Sequence, residues 1–108
     1  MNININDSKE IPDNYPSLCI PRVNNDIDEE MVRNIFNKLE LGIISKIQII
    51  RKKNQKDKGN IIYIHFKSWN NEGNGKIARE RLLDNKDIKV IYNCPWFWKV
   101  YAYRVKNK

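Results

Sequence analysis

The sequence predicts an α+β sandwich: two helices on one face of a four-stranded antiparallel sheet, in the order βαββαβ. Three observations predict it. Leu18-Cys19-Ile20-Pro21-Arg22-Val23 and Lys58-Gly59-Asn60-Ile61-Ile62-Tyr63-Ile64-His65-Phe66 both read as strands, the second an almost unbroken β-branched and aromatic run. One amphipathic helix and one more strand lie between them. The 108 residues make one domain rather than two, and a 41% apolar share suffices for a modest core with little left for a deep catalytic pocket.

Residues 1–16 are polar, with Pro12 and Pro16 blocking helix continuation, and are expected to form a flexible or surface-draped tail. The first strand spans 17–23, with Pro21 near its end, where a missing N–H is tolerable. Asp28 is the expected N-cap of the first helix, and Glu29 and Glu30 suit its positive end. Met31, Val32, Ile35, Phe36 and Leu39 give that helix one apolar face, and Gly42 is the expected stop. The second strand covers 44–51, with Ile44, Ile47 and Ile49 inward and Gln48 and Ile50 on the other side.

A charged, turn-rich connection over 51–60 leads to the third strand, 60–67. Residues 69–75 read as a loop, and 76–83 as a second helix with Ile77, Ala78, Leu82 and Leu83 on its apolar face. Residues 88–92 form a short extra strand, and after a turn at 93–95 the last strand covers 97–105. The domain is thus expected at 17–105, between the tail and a short end at 106–108. This is the split-βαβ, ferredoxin-like arrangement. Two helices cover one sheet face and leave the other free.

Alternation assigns the free face. Ile62, Ile64 and Phe66 point to the helices, and Gly59, Ile61, Tyr63 and His65 point away. Leu18 and Ile20 go inward, Cys19 and Pro21 outward. Val100 and Ala102 suit the core, leaving Lys99, Tyr101 and Tyr103 on the open face.

In order and spacing, the two opening segments resemble those of the RNA-recognition motif, whose two signatures lie on adjacent central strands. The resemblance covers the topology from Ser17 to Val105. Its functional residues match in part. Tyr63 stands at one signature aromatic position, while Ile61 and Cys19 occupy the other two. The basic first position falls on Gly59, with Lys58 displaced by one residue, and Arg22 stands where the family commonly has asparagine.

The resemblance implies a non-catalytic module that binds single-stranded RNA on the open face. Tyr63, Tyr101, Tyr103 and His65 would meet bases, and Arg22, Lys52, Lys53, Lys58 and Lys99 would lie near phosphates. The rival expectation is a protein-interaction module of the same fold, with Cys19, Ile61 and Trp96 as partner contacts. Trp96, Phe97 and Trp98 cannot all be buried on one strand face; Trp98 is expected in the core. The Trp-Phe-Trp-Lys ending also resembles short recognition-motif-like proteins of large DNA viruses, which implies a virus-encoded or virion-associated component.

The net charge of +7 favours a polyanionic partner. One lysine against three acids in residues 1–16 gives −2 there and leaves +9 on the remainder. Two cysteines without a CxxC pair and a single histidine argue against a structural zinc site and for free thiols, so no metal or cofactor is expected. No carboxylate pair, nucleophile–base arrangement or P-loop stands out, so no enzyme activity is expected. No apolar run reaches spanning length and the polar start is no signal peptide, so an intracellular site, cytoplasmic or nuclear, is expected.

Overall fold

Seven elements form in chain order: β1 (Ser17–Val23), α1 (Glu29–Leu39), β2 (Gly42–Arg51), β3 (Asn60–Trp69), α2 (Gly73–Leu83), β4 (Ile88–Asn93) and β5 (Trp96–Tyr103). They belong to a computed structural model that describes residues 11–51 and 59–103. The strands make one sheet in the order β2-β3-β1-β5-β4, with every neighbouring pair antiparallel. The sheet therefore has five strands, not the expected four. The extra strand joins because its apolar residues have inward partners: Ile88 lies opposite Val100, and Val90 opposite Trp98. Val90, Trp98 and Val100 are all buried.

Strands β1 and β2 are each antiparallel to β3 and so parallel to each other, with β3 inserted between them. Likewise β3 and β5 are parallel, with β1 between them. The helices α1 and α2 make these two crossovers. Leu18 and Ile20 of β1, Ile62, Ile64 and Phe66 of β3, and Trp98 and Val100 of β5 are buried together with Val32, Phe36, Ala78 and Leu82 of the helices. The inward alternation expected for the central strands is what the sheet shows. Trp98 is held between Tyr92, at 4.5 Å between ring centroids, and Phe36, at 6.4 Å.

Asp28 caps α1 by accepting the Met31 N–H at 2.9 Å, and Glu29 pairs with Arg33 one turn on at 2.9 Å. The expected stop at Gly42 is corrected. Glu40 takes the left-handed cap conformation, with φ 57°, and its N–H donates to the Asn37 carbonyl. Gly42 already belongs to β2 and serves close strand approach: a Cβ there would lie 2.3 Å from the Ser68 carbonyl oxygen.

The expected loop over 69–75 is also corrected. Trp69 ends β3, because residues before β1 satisfy it: its backbone N–H donates to the Asp13 carbonyl and its indole N–H to the Pro16 carbonyl. Helix α2 begins at Gly73, three residues earlier than expected. Its buried line is Gly75, Ala78 and Leu82, spaced three and four apart, and this leaves Ile77 exposed at 60% rather than on the core face.

Residues 12–16, assigned to the tail on sequence, are tied to the helix layer as well as to Trp69. The Arg79 guanidinium donates to the carbonyls of Pro12, at 2.7 Å, and Tyr15, at 2.8 Å. Residues 1–10, the strand end expected at Val105 and the tail 106–108 lie outside the described residues. Among the described residues, no helix is long and apolar enough to cross a membrane.

Candidate nucleic-acid interface

The registers that bury one sheet face line up the residues of the other in rows. Gln48, Tyr63, Cys19 and Tyr101 are successive cross-strand partners, running from β2 to β5. Beside this row, Lys46 lies opposite His65, and Ser17 lies opposite Tyr103. Three tyrosines, one on β3 and two on β5, are thus brought together with the small residues of β1 between them.

Small residues on β1 let the flanking rings close over it. Tyr63 and Tyr103 meet at 4.7 Å between centroids with their planes at 53°. His65 meets Tyr103 edge-on at 6.4 Å. Cys19 lies in the row beneath this pair, so it belongs to the tyrosine cluster and not to a separate apolar patch. Burial pushes its thiol pKa up. The Tyr63 phenol is also pushed up, first by burial and then by the neighbouring Cys19 and Tyr103. Both groups stay protonated at neutral pH.

His65 is fixed from two sides. Its Nδ1 lies 2.7 Å from Ser17 Oγ, and its Nε2 lies 2.8 Å from Gln48 Oε1. Burial, and then the Lys46 ammonium, lower its pKa, so the ring is neutral at pH 7. In that form Nε2–H donates to Gln48 and Nδ1 accepts the Ser17 hydroxyl proton. The imidazole is clamped in the sheet, and its main geometric effect is to brace Tyr103.

Past Cys19 the sheet opens. The register of β1 and β5 covers Ser17–Cys19 against Tyr101–Tyr103, and β1 shifts register against β3 between Ile20 and Val23. Pro21, within that shift, has no N–H to offer. The divergence leaves a cleft of about 380 Å³ lined by Pro21, Arg22, Lys99 and Tyr101. Tyr101 is 41% exposed there. Three residues singled out in the sequence for binding thus share one cleft.

Charge is segregated between the layers. The five strands contain six basic residues, namely Arg22, Lys46, Arg51, Lys67, Lys89 and Lys99, and no aspartate or glutamate. All acids among the described residues stand on helices and connections. On the helices and connections the acids pair with neighbouring cations, as in Arg33–Glu29, Lys76–Glu80, Arg81–Asp87 and Lys86–Asp84.

The partner contacts expected from sequence do not form one surface. Ile61 lies on the open face opposite Ile50. Trp96 is 63% exposed but shares the strand side of buried Trp98, facing a groove of about 600 Å³ lined in part by Ile27, Met31, Ile35 and Tyr92. Lys52, Lys53 and Lys58 lie outside the described residues. Sequence reasoning left out Lys46, because the irregularity between Ile44 and Lys46 breaks the alternation that would place it. Alternation puts Gln48 on this side, but neither Gln48 nor Ser17 gives a signal of its bond to the His65 ring.

Among the described residues, no cluster of His, Cys, Asp and Glu is arranged to hold a metal ion. Compared with protein-family models, with curated proteins and with solved structures, the chain matches none.

Proposed function

We propose that the chain is a non-catalytic, divergent RNA-recognition-like module that binds single-stranded RNA on the open face of its sheet. The observation that carries this reading is the Tyr63–Tyr103–Tyr101 cluster on a sheet whose strands hold six cations and no acid. Aromatic platforms framed by cations suit single-stranded nucleic acid, because every base has a face to stack and every linkage has a charge to neutralise. The fold supports the reading too. The sheet has five strands, and with β4 set aside the order β2-β3-β1-β5 and its two interleaved crossovers support a ferredoxin-like reading.

In this reading the Tyr63–Tyr103 pair takes one base and Tyr101 takes the next. Arg22 and Lys99 hold the phosphate at the cleft. Two aromatic positions of the family signature are Cys19 and Ile61 here, and Tyr103, leaning over Cys19, supplies a ring in their place. His65 positions that ring and does not stack itself.

Titration of a labelled single-stranded RNA with nuclease-treated protein, at low and at raised salt, tests the proposal. Affinity falls steeply with salt, and the double variant Tyr63→Ala, Tyr101→Ala loses about 1–3 kcal/mol per removed platform. No binding at low salt, or binding indifferent to the double variant, overturns it.

A second reading, a protein-interaction module, is favoured by one observation: the exposed Trp96 beside the groove of Ile27, Met31, Ile35 and Tyr92. It calls for a stoichiometric protein partner that survives nuclease and is lost on Trp96→Ala.

A further inference from the structure

The odd-numbered residues of β5 share the open face. In order they are Tyr103, Tyr101, Lys99 and Phe97, so ring, ring, cation and ring follow one another about 6.8 Å apart. The first three belong to the surface already described. Phe97 lies beyond it, on the part of β5 that pairs only with β4. It is 43% exposed, and its cross-strand partner Ile91 is 62% exposed. This half-exposed phenylalanine and exposed isoleucine stand outside the buried core.

The next pair along the hairpin is Lys89 opposite Lys99. Like charges directly opposite one another on a sheet are unfavourable. Among the described residues no carboxylate forms an ion pair with either lysine, and the Lys89 ammonium instead sits 5.0 Å from the centre of the Phe97 ring. Two facing lysines without an acid are relieved by an anion between them, and the adjacent ring offers a face to a base.

We propose that bound RNA continues along β5 onto the β4–β5 hairpin, where Lys89 and Lys99 hold a phosphate and Phe97, with Ile91 beside it, receives one further base. The inference rests on the RNA-binding reading of the tyrosine face. On binding, Lys89 exchanges its contact with the Phe97 ring for the phosphate and frees the ring for stacking. The occupant is a single nucleic-acid strand rather than a peptide, because the pair of facing cations adjoins the apolar pair and continues the cationic cleft of Arg22 and Lys99.

The test uses the full chain and labelled oligouridines of about two nucleotides, enough for the Tyr63–Tyr103 and Tyr101 platforms alone, and of about ten, within the span of single-strand sites on small domains. Phe97→Ala with Lys89→Gln changes only exposed side chains. It is expected to weaken binding of the longer oligomer about tenfold, to lower its salt slope by about 0.7, and to leave the shorter oligomer unaffected. Lys89→Gln alone is expected to give the change in slope with a smaller loss. Wild-type affinity of the double variant for the longer oligomer overturns the extension, and so does an equal loss on both lengths. Binding by the wild type that depends on Tyr63 and Tyr101 but ignores the hairpin variant sinks the extension alone. Failure of the wild type to bind either oligomer at low salt sinks both readings.

Discussion

Tyr63 and Tyr103 touch across a strand that neither belongs to. Their centroids lie 4.7 Å apart, although β1 runs between β3 and β5. Contact across two strand spacings requires small residues in the middle, and β1 supplies Ser17 and Cys19. The two rings therefore act as a unit. Tyr63→Ala and Tyr103→Ala are each expected to lower RNA affinity by about 1–3 kcal/mol, and the double variant by clearly less than the sum of the two losses. A double-mutant cycle by fluorescence anisotropy measures the coupling; strict additivity would show that the rings bind separately.

His65 makes stability depend on pH. Its pKa in the folded chain is lowered, first by burial and then by Lys46. The unfolded chain, with an ordinary value of about 6.5, takes up the proton first as pH falls. The His65 contribution is therefore complete above about pH 6.5 and is lost as pH falls from there through the lowered folded value. Denaturation midpoints followed below pH 6.5 should fall more for the wild type than for His65→Gln. Equal pH dependence in the two proteins would remove His65 as the cause.

Gly42 and Gly73 are constrained for different reasons. A Cβ at Gly42 would lie 2.3 Å from the Ser68 carbonyl oxygen and 2.8 Å from Trp69 Cα, both backbone atoms that cannot swing aside. At Gly73 the space is open but φ is +59°. Gly42→Ala is expected to cost about 1–3 kcal/mol through forced strand separation. Gly73→Ala should cost about 1 kcal/mol, through the left-handed backbone alone. Thermal melts rank the two, and a harmless Gly42→Ala would contradict the close approach of β2 and β3.

Trp69 joins the start of the fold to the end of β3. Its indole N–H donates to Pro16 in a buried bond of 3.0 Å, and its ring packs on Phe66 at 4.3 Å. Trp69→Phe keeps the ring contact and orphans the carbonyl, for an expected loss of about 1–3 kcal/mol. Removing residues 1–16 should cost at least as much, since it also frees Trp69 N–H and Arg79. Urea denaturation measures both. If the truncated chain is as stable as the whole, residues 12–16 do not belong to the fold.

The order of helices and strands was legible because each element carries its own period. Alternation in Ile61-Ile62-Tyr63-Ile64-His65-Phe66 and the helical spacing of Val32 and Phe36 report burial directly. Alternation also put Tyr63, His65, Tyr101 and Tyr103 on one face. Strand ends were less legible. Trp69 looked like the start of a loop because its partners, Asp13 and Pro16, lie more than fifty residues away in the chain. Gly42 looked like a helix stop because glycine suits both a left-handed cap and a close strand approach.

The sequence by itself determined which residues of the central strands β1, β3 and β5 face the helices and which face away, since side-chain direction there follows from local backbone geometry. It also determined that the strands hold cations and no acids. Only the tertiary structure decided that Tyr63 leans on Tyr103, that Arg22, Lys99 and Tyr101 line one cleft, and that Trp96 stands apart from Cys19 and Ile61. Those relations depend on strand order, register and the divergence of β1 from β5. These are set by contacts between distant segments, and no local period encodes them.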